Sequence, residues 1–280
     1  MTAGQGTGGR LPIDAALDAL EAPPRRSEDT FSSDLSIDEA VLLSEVGYEP
    51  RAFVMGSAVY HVGFQYTAGS AGGVELVKLS SALAAAREEA VSRLVEDGRR
   101  AGADGVVGVR VELSGFGARH PLVEFTAVGT AVAATGRRPE RFFTSALSGK
   151  EFYLLRRAGW EIAGLVMGSC VMQVGFRGVF ATTGRPNQEL EAPTRALYSA
   201  RELAMERLQR EAEGLGASGV VGVRVSEHSH SWGQAAIELF VLGTAIRATS
   251  GGHRSLDVAP VVLLDDATLA TDPAALRGGG

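Results

Sequence analysis

Apolar positions recur at helical spacing over two stretches of the chain. Leu83, Ala86, Ala90, Leu94 and Ala101 lie three, four or seven residues apart, which places them on one face of a helix. Leu197, Ala200, Ala204, Leu208 and Leu215 repeat that stripe 114 residues later. The small side chains on the stripe predict a helix lying close to a sheet. Gly102 and Gly216 stand where such helices stop, and Pro193 suits the first turn of the second. Around the helices the pattern changes to extended runs rich in Val and Phe. These run from about Ala52 to Gln65, Gly105 to Leu113 and Leu122 to Ala134, with equivalents at Ala163–Arg177, Gly219–Glu227 and Ala236–Ala248. The short loop between the last two runs of each set predicts an antiparallel hairpin.

The pattern is a duplication. Met55–Phe64 reappears as Met167–Phe176, an offset of 112. Gly105-Val106-Val107-Gly108-Val109-Arg110-Val111 returns unchanged as Gly219–Val225, and Gly129-Thr130-Ala131 as Gly243-Thr244-Ala245, both at an offset of 114. The change of offset puts a two-residue insertion between Phe64 and the helix, where a loop tolerates it. Each copy opens with a short helix carrying an S-x-x-E capping box, Ser36 with Glu39 and Ser148 with Glu151, and Gly47 and Gly159 end those helices. The expected fold class is α+β: tandem duplicated β-α-β-β two-layer domains with antiparallel sheets, each preceded by a short helix. The expected domains are residues 30–136 and 137–249. Segments 1–29, rich in Gly, Pro and charge, and 250–280 are expected to be disordered or flexible. Two apolar islands in them, Leu11–Leu20 and Val258–Leu264, are candidate docking peptides.

A three-stranded sheet with a helix on one face leaves its other face bare. That face is expected to carry Val106, Val128 and Val132 in one copy and Val220, Phe240, Leu242 and Ile246 in the other. So much apolar surface predicts an oligomer, or else a closed monomer whose two domains cover each other.

Composition narrows the class. At 280 residues and 45% apolar, each domain can bury a core, and no apolar run approaches the length of a bilayer. The N-terminus lacks both the cationic start and the apolar core of a secretory signal, and Cys170 is the only cysteine, which favours the cytoplasm. A net charge of −6 with scattered basic residues argues against nucleic acid.

Candidate chemistry is sparse. No Cys–His pairing, G-x-S-x-G or phosphate-loop pattern is present, so no enzyme is expected. Arg110 and Glu124, repeated as Arg224 and Glu238, are placed symmetrically about turns centred near Gly117 and Ser231. They are expected to face each other across each hairpin, on the face opposite Val107, Val109 and Val111. One reading is a cross-strand ion pair. The other is an assembly surface, to which Gly108 and Gly222 also belong because an interior strand glycine marks a close approach. His228 and His230 form an H-x-H pair that a strand would point one way, as a metal site requires, although Ser114 and Phe116 replace them in the first copy. The alternative is a solvated loop. Cys170 reads as a small apolar core residue.

The run Ala86-Arg87-Glu88…Ala90…Leu94…Ala101-Gly102-Ala103-Asp104-Gly105-Val106-Val107-Gly108-Val109, closing on Gly129-Thr130-Ala131, resembles the YbjQ-like family, which carries a heavy-metal-binding label. The second copy matches through Ala200-Arg201-Glu202…Gly222-Val223 and Gly243-Thr244-Ala245, so the resemblance covers most of 30–249. It implies a dodecin-like subunit and homopentameric rings. This chain departs in having two domains, an added helix before each, and Ser218 in place of Asp104. The expectation is a cytoplasmic ring-forming scaffold or binding protein, with ten domains from five chains in two stacked or interleaved layers. No cofactor is expected, a transition metal being the runner-up. The expected partners are other copies of the chain and, through the terminal segments, another protein.

Overall fold

The computed structural model describes residues 32–61, 73–115, 122–174, 191–230 and 236–249, without the side chains of 191–193. The terminal segments and their two apolar islands lie outside the described residues. The first copy comprises α1 (Ile37–Glu45), β1 (Tyr48–His61), α2 (Val77–Arg100), β2 (Gly105–Gly115) and β3 (Leu122–Ala134). The second comprises β4 (Phe143–Thr144), α3 (Gly149–Arg157), β5 (Trp160–Gln173), α4 (Glu191–Gly214), β6 (Gly219–His230) and β7 (Ala236–Ala248). This is the duplicated α+β domain expected from the sequence. Both capping boxes form, at Ser36/Glu39 and Ser148/Glu151, and Gly47 and Gly159 follow their helices with positive φ.

The first sheet has the order β1-β3-β2-β4 and the second β5-β7-β6. All pairings are antiparallel except β4, which lies parallel to β2 with Gly105 opposite Phe143. The segment leading into the second copy thus widens the first copy's sheet. It donates from Ser145 N–H to the Val106 carbonyl at 2.9 Å and accepts from Val109 N–H at Ser145 O and from Gly108 N–H at Leu147 O.

The small residues of each stripe let helix and sheet meet at backbone distance. A β-carbon at Gly56 would fall on the carbonyl oxygen of Ala90, and one at Gly168 on that of Ala204. Leu83, Ala86, Ala90 and Leu94 are buried against the first sheet, and Ala200, Ala204 and Leu208 against the second, whereas Leu215 lies past the end of α4 and is exposed.

Two expectations about the hairpins are corrected. Arg110 is paired with Val128, and Glu124 with Ser114; in the second copy Arg224 is paired with Leu242, and Glu238 with His228. The arginine and glutamate therefore share a face but stand four residues apart along it, because each turn is centred about two residues later than the symmetric placement assumed. The faces also change partway along the strand. Gly108 and Gly222 adopt φ of +66° and +61°, and a bulge interrupts the ladder there, between Val107 and Arg110 and between Val221 and Arg224. Strict alternation fails across a bulge, so Val106 and Val109 both turn to α2 while Val107 joins Val132 on the far face. Val220 likewise packs with the α4 core.

The order of layers was open from the sequence. Helix α2 contributes to a single core that contains Val54, Phe125 and Ala127 of its own sheet together with Val171, Phe240 and Leu242 of the second. The molecule is a stack of first sheet, α2, second sheet and α4, in which one helix covers two sheets. The far face of the first sheet is capped at one end by α1 and α3, through Leu43, Tyr48, Val107, Val132, Phe143 and Phe152. Along the rest of that face Met55 and Val59 remain 53% and 54% exposed.

The contact of Gly168 with Ala204 makes a prediction. Gly168→Ala forces α4 off its sheet and is expected to lower stability by about 2 kcal/mol, read as a lower urea midpoint with an unchanged m-value. An equal or higher midpoint would show that the helix is free to shift.

Candidate functional site

The junction of the two copies buries three titratable side chains together, Arg87, His230 and Glu238. Alternation along β7 turns Glu238, Phe240 and Leu242 away from α4 and towards α2, and the register of β6 sets His228 opposite Glu238. From the other side, the buried stripe of α2 brings Arg87 to the same place. Its guanidinium carbon lies 4.5 Å from the centre of the Phe125 ring and 4.1 Å from that of Phe240, so the cation is held between one aromatic ring from each copy. Nη1 donates to Glu238 Oε1 at 2.6 Å, and Glu238 Oε2 lies 2.9 Å from His230 Nε2. Arg87 is 2% exposed and Glu238 0%.

Burial alone would raise the Glu238 carboxyl, but the hydrogen bond from His230 and the adjacent Arg87 charge outweigh it and hold the group at about 2. Burial pushes His228 below the ordinary histidine value; Glu238 opposes the shift, while Arg87 and His230 add to it. The His228 and His230 rings stack with centroids 6.4 Å apart. Cys170 points to the opposite face of the sheet, into the α4 core, where burial and then Glu75 push its thiol up to about 12. That environment suits a core residue and not a nucleophile.

Beside the cluster, a cleft of about 430 Å³ opens between α2, β5 and α4. Its lining includes Ser80, Arg87, Met167, Arg207, Arg210 and Glu211. Arg207 bridges the copies by pairing with Glu75 at 2.7 Å, and burial raises the Glu211 carboxyl even though it accepts the Met167 N–H.

The structure separates the residues singled out by sequence. Glu238 and His230 enter the buried cluster, and His228 adjoins it. Arg110 lies on the far face of the first sheet, where it pairs with Asp34, and Glu124 sits half-buried on that same face. Arg224 is exposed at the edge of the second sheet. Gly108 and Gly222 are required by their positive φ; at Gly222 a β-carbon would also meet Leu147 at 2.7 Å, whereas at Gly108 it would meet nothing within 4 Å. Arg87 was missed. The signal was available, since it sits beside Ala86 in the buried stripe and recurs as Arg201, but an arginine on a helix ordinarily reads as solvated.

The donors do not fit a metal. Among the described residues no three His, Cys, Asp or Glu side chains converge. His230 Nε2 and both Glu238 oxygens are engaged with each other and with Arg87; the buried atoms of the cluster without a hydrogen-bond partner are His228 Nδ1 and Arg87 Nη2, and the second is a donor that cannot ligate a metal. No described helix is long and apolar enough to cross a membrane.

Comparison with known sequences is consistent with this architecture. The sequence model of a family named YbjQ, with the description "Putative heavy-metal-binding", matches residues 51–135 and 157–249 separately. The chain is 42% identical over 235 residues to "Encapsulin nanocompartment protein Rv1762c" of Mycobacterium tuberculosis, covering 81% of this chain and 89% of the relative. It is also 38% identical over 91 residues to a UPF0145 protein of Hahella chejuensis and 37% identical over 89 residues to one of Thermotoga maritima. Those matches cover 30% and 31% of this chain but 80% and 82% of the relatives, so each of those relatives is close to one domain in length.

The cluster predicts a pH dependence. Because the Glu238 carboxyl is held at about 2, below its ordinary 4.5, its contribution is complete above pH 4.5 and is lost as pH falls towards 2. Glu238→Gln is expected to cost about 3 kcal/mol at pH 7 and to flatten the acid limb of a stability–pH curve measured by urea denaturation. An acid limb as steep as that of the wild type would show that Glu238 does not carry it.

Proposed function

The chain belongs to the YbjQ family as a tandem duplication, and on that premise we propose that it is a non-catalytic, ring-forming scaffold or binding protein of the cytoplasm. The observation that carries this reading is the far face of the first sheet, which leaves Met55 and Val59 more than half exposed next to the partly buried Val128. An apolar sheet face of that kind is ordinarily covered. The family resemblance suggests five chains per ring, which for this duplicated chain means ten domains. The name of the Mycobacterium tuberculosis relative suggests a partner, so this chain is proposed to associate with an encapsulin nanocompartment, with the terminal segments as the tether. The absence of chemistry is part of the proposal: the buried thiol is suppressed, and the Glu238 carboxylate is tied to Arg87 and the His230 imidazole.

The cleft beside Arg87 favours a second reading, a small anionic ligand bound at the junction by Arg87, Arg207 and Arg210. Calorimetric titration with inorganic phosphate and citrate checks it; heat that disappears in Arg210→Ala would support ligand binding, and no heat would set it aside.

Two measurements test the leading proposal. Native mass spectrometry at micromolar concentration is expected to show a closed oligomer, and a clean 29.2 kDa monomer would overturn the assembly. Elemental analysis of untagged protein is expected to show well under one transition metal per chain. One metal per chain, lost in a His228→Ala/His230→Ala variant, would restore the metal reading.

A further inference from the structure

The contact between the two copies is head-to-tail, and a duplicated chain carries every surface of that contact twice. The first copy supplies α2, whose outer side covers the far face of the second sheet. The second copy supplies the segment before α3, which adds itself to the β2 edge. Inside one chain each surface is used once. The second copy's helix and strand edge, and the first copy's sheet face and lead-in segment, have no such partner among the described residues.

The unused surfaces carry the equivalents of the used ones, some residues kept and others, such as Thr126 for Phe240 and Leu239 for Phe125, replaced. Val171 is fully buried beneath α2, whereas Val59, its equivalent at the offset of 112, is 54% exposed. Ala84 lies on the outer side of α2, and its equivalent on α4, Tyr198, is 61% exposed. The buried pair Arg87 and Glu238 has its counterparts in Arg201, which is exposed, and Glu124, which is half-buried; no ion pair joins either to another described residue. At the strand edge, Gly105 lies directly under the Phe143 ring, but a β-carbon at Gly219 would meet nothing within 4 Å. The sequence that supplies the ring, Phe143-Thr144-Ser145-Ala146-Leu147-Ser148, recurs 112 residues earlier as Phe31-Ser32-Ser33-Asp34-Leu35-Ser36. Ser33 and Asp34 hold to Thr130 of their own sheet as Ser145 and Ala146 hold to Thr244. The lead-in segment is therefore seated alike in both copies.

We infer that copies of the chain join head-to-tail by repeating the internal junction. Segment Ser32–Leu35 of one copy adds parallel to the β6 edge of the next, which is unpaired among the described residues, and Arg201 of that next copy pairs with Glu124 of the first. The strand bonds follow by equivalence: Ser33 N–H donates to Val220 O, Val223 N–H donates to Ser33 O, and Gly222 N–H donates to Leu35 O. An interface of this heterologous kind closes into a ring when its rotation permits. The two domains of a chain then occupy neighbouring positions around one ring and not separate layers, and every such ring holds an even number of domains. This inference rests on the assembly reading above and assigns the surfaces that reading leaves open.

The test is a charge exchange followed by size measurement. Arg201→Glu at an exposed position and Glu124→Arg at a half-buried one, each checked for native folding by circular dichroism, are each expected to raise the concentration for half-assembly by about tenfold or more. The double variant is expected to recover the wild-type value. Ser33→Pro, which removes the N–H, is expected to weaken assembly, while Ser33→Ala is expected to do so less. Oligomers indifferent to both charge reversals, reversals that are not rescued by the double variant, or equal effects of the two Ser33 variants would overturn the inference while leaving assembly by another face. A wild-type monomer would overturn both.

Discussion

A guanidinium without access to water can stay in a protein interior only if something replaces its hydration. At the junction that replacement comes from two aromatic faces, Phe125 and Phe240, and one ionised carboxylate, Glu238. Two of these three groups belong to the other copy, so Arg87 on α2 can be buried only while the copies are joined. Separating them would return Arg87 to water, as its equivalent Arg201 is exposed on α4, and would leave Glu238 beside His230 without its cation. Losing one partner of a buried pair costs about 3–5 kcal/mol, far more than an exposed ion pair contributes. The charge cluster therefore penalises any packing of the two copies that buries one member of the pair without the other.

That constraint explains why the stack has its particular order. Helix α2 is amphipathic in an unusual sense, with small apolar residues facing its own sheet and Arg87 and Ser80, with the preceding Leu76, facing the next. Ser80 accepts the Val171 N–H, and Leu76 N–H donates to the Val171 carbonyl, so the helix start is stitched to the β5 edge. A sheet that would otherwise expose its second face is closed by a neighbour's helix. The sheet edge at β2 is closed as well, by β4, which removes an exposed template for unspecific strand pairing.

The copies have diverged where the junction treats them differently. Phe240 corresponds to Thr126 and His228 to Ser114, so the first copy's far face offers Glu124 a hydroxyl-lined setting in place of the aromatic and imidazole setting of Glu238. Substitutions at both edges of the same surface leave the helix-facing stripe almost untouched. The outcome is one contact formed inside the chain and an equivalent set of surfaces built from more polar, more accessible groups.

Local order was legible in the residues alone. The stripes at three and four, the capping boxes, the stop glycines and the repeat offsets specified all four described helices, both hairpins and their duplication, because these depend on neighbours close along the chain. What the sequence could not specify was anything set by a single extra residue or by contacts over long separations. The bulges at Gly108 and Gly222 moved the register and reversed the faces of Val106 and Val107, since alternation carries no warning of an inserted residue. Arg87 and Glu238 lie 151 positions apart, and nothing local says that either is buried. Which helix covers which sheet is a matter of how two finished layers meet. That choice was decided only when tertiary packing brought one charge from each copy into the same water-free space.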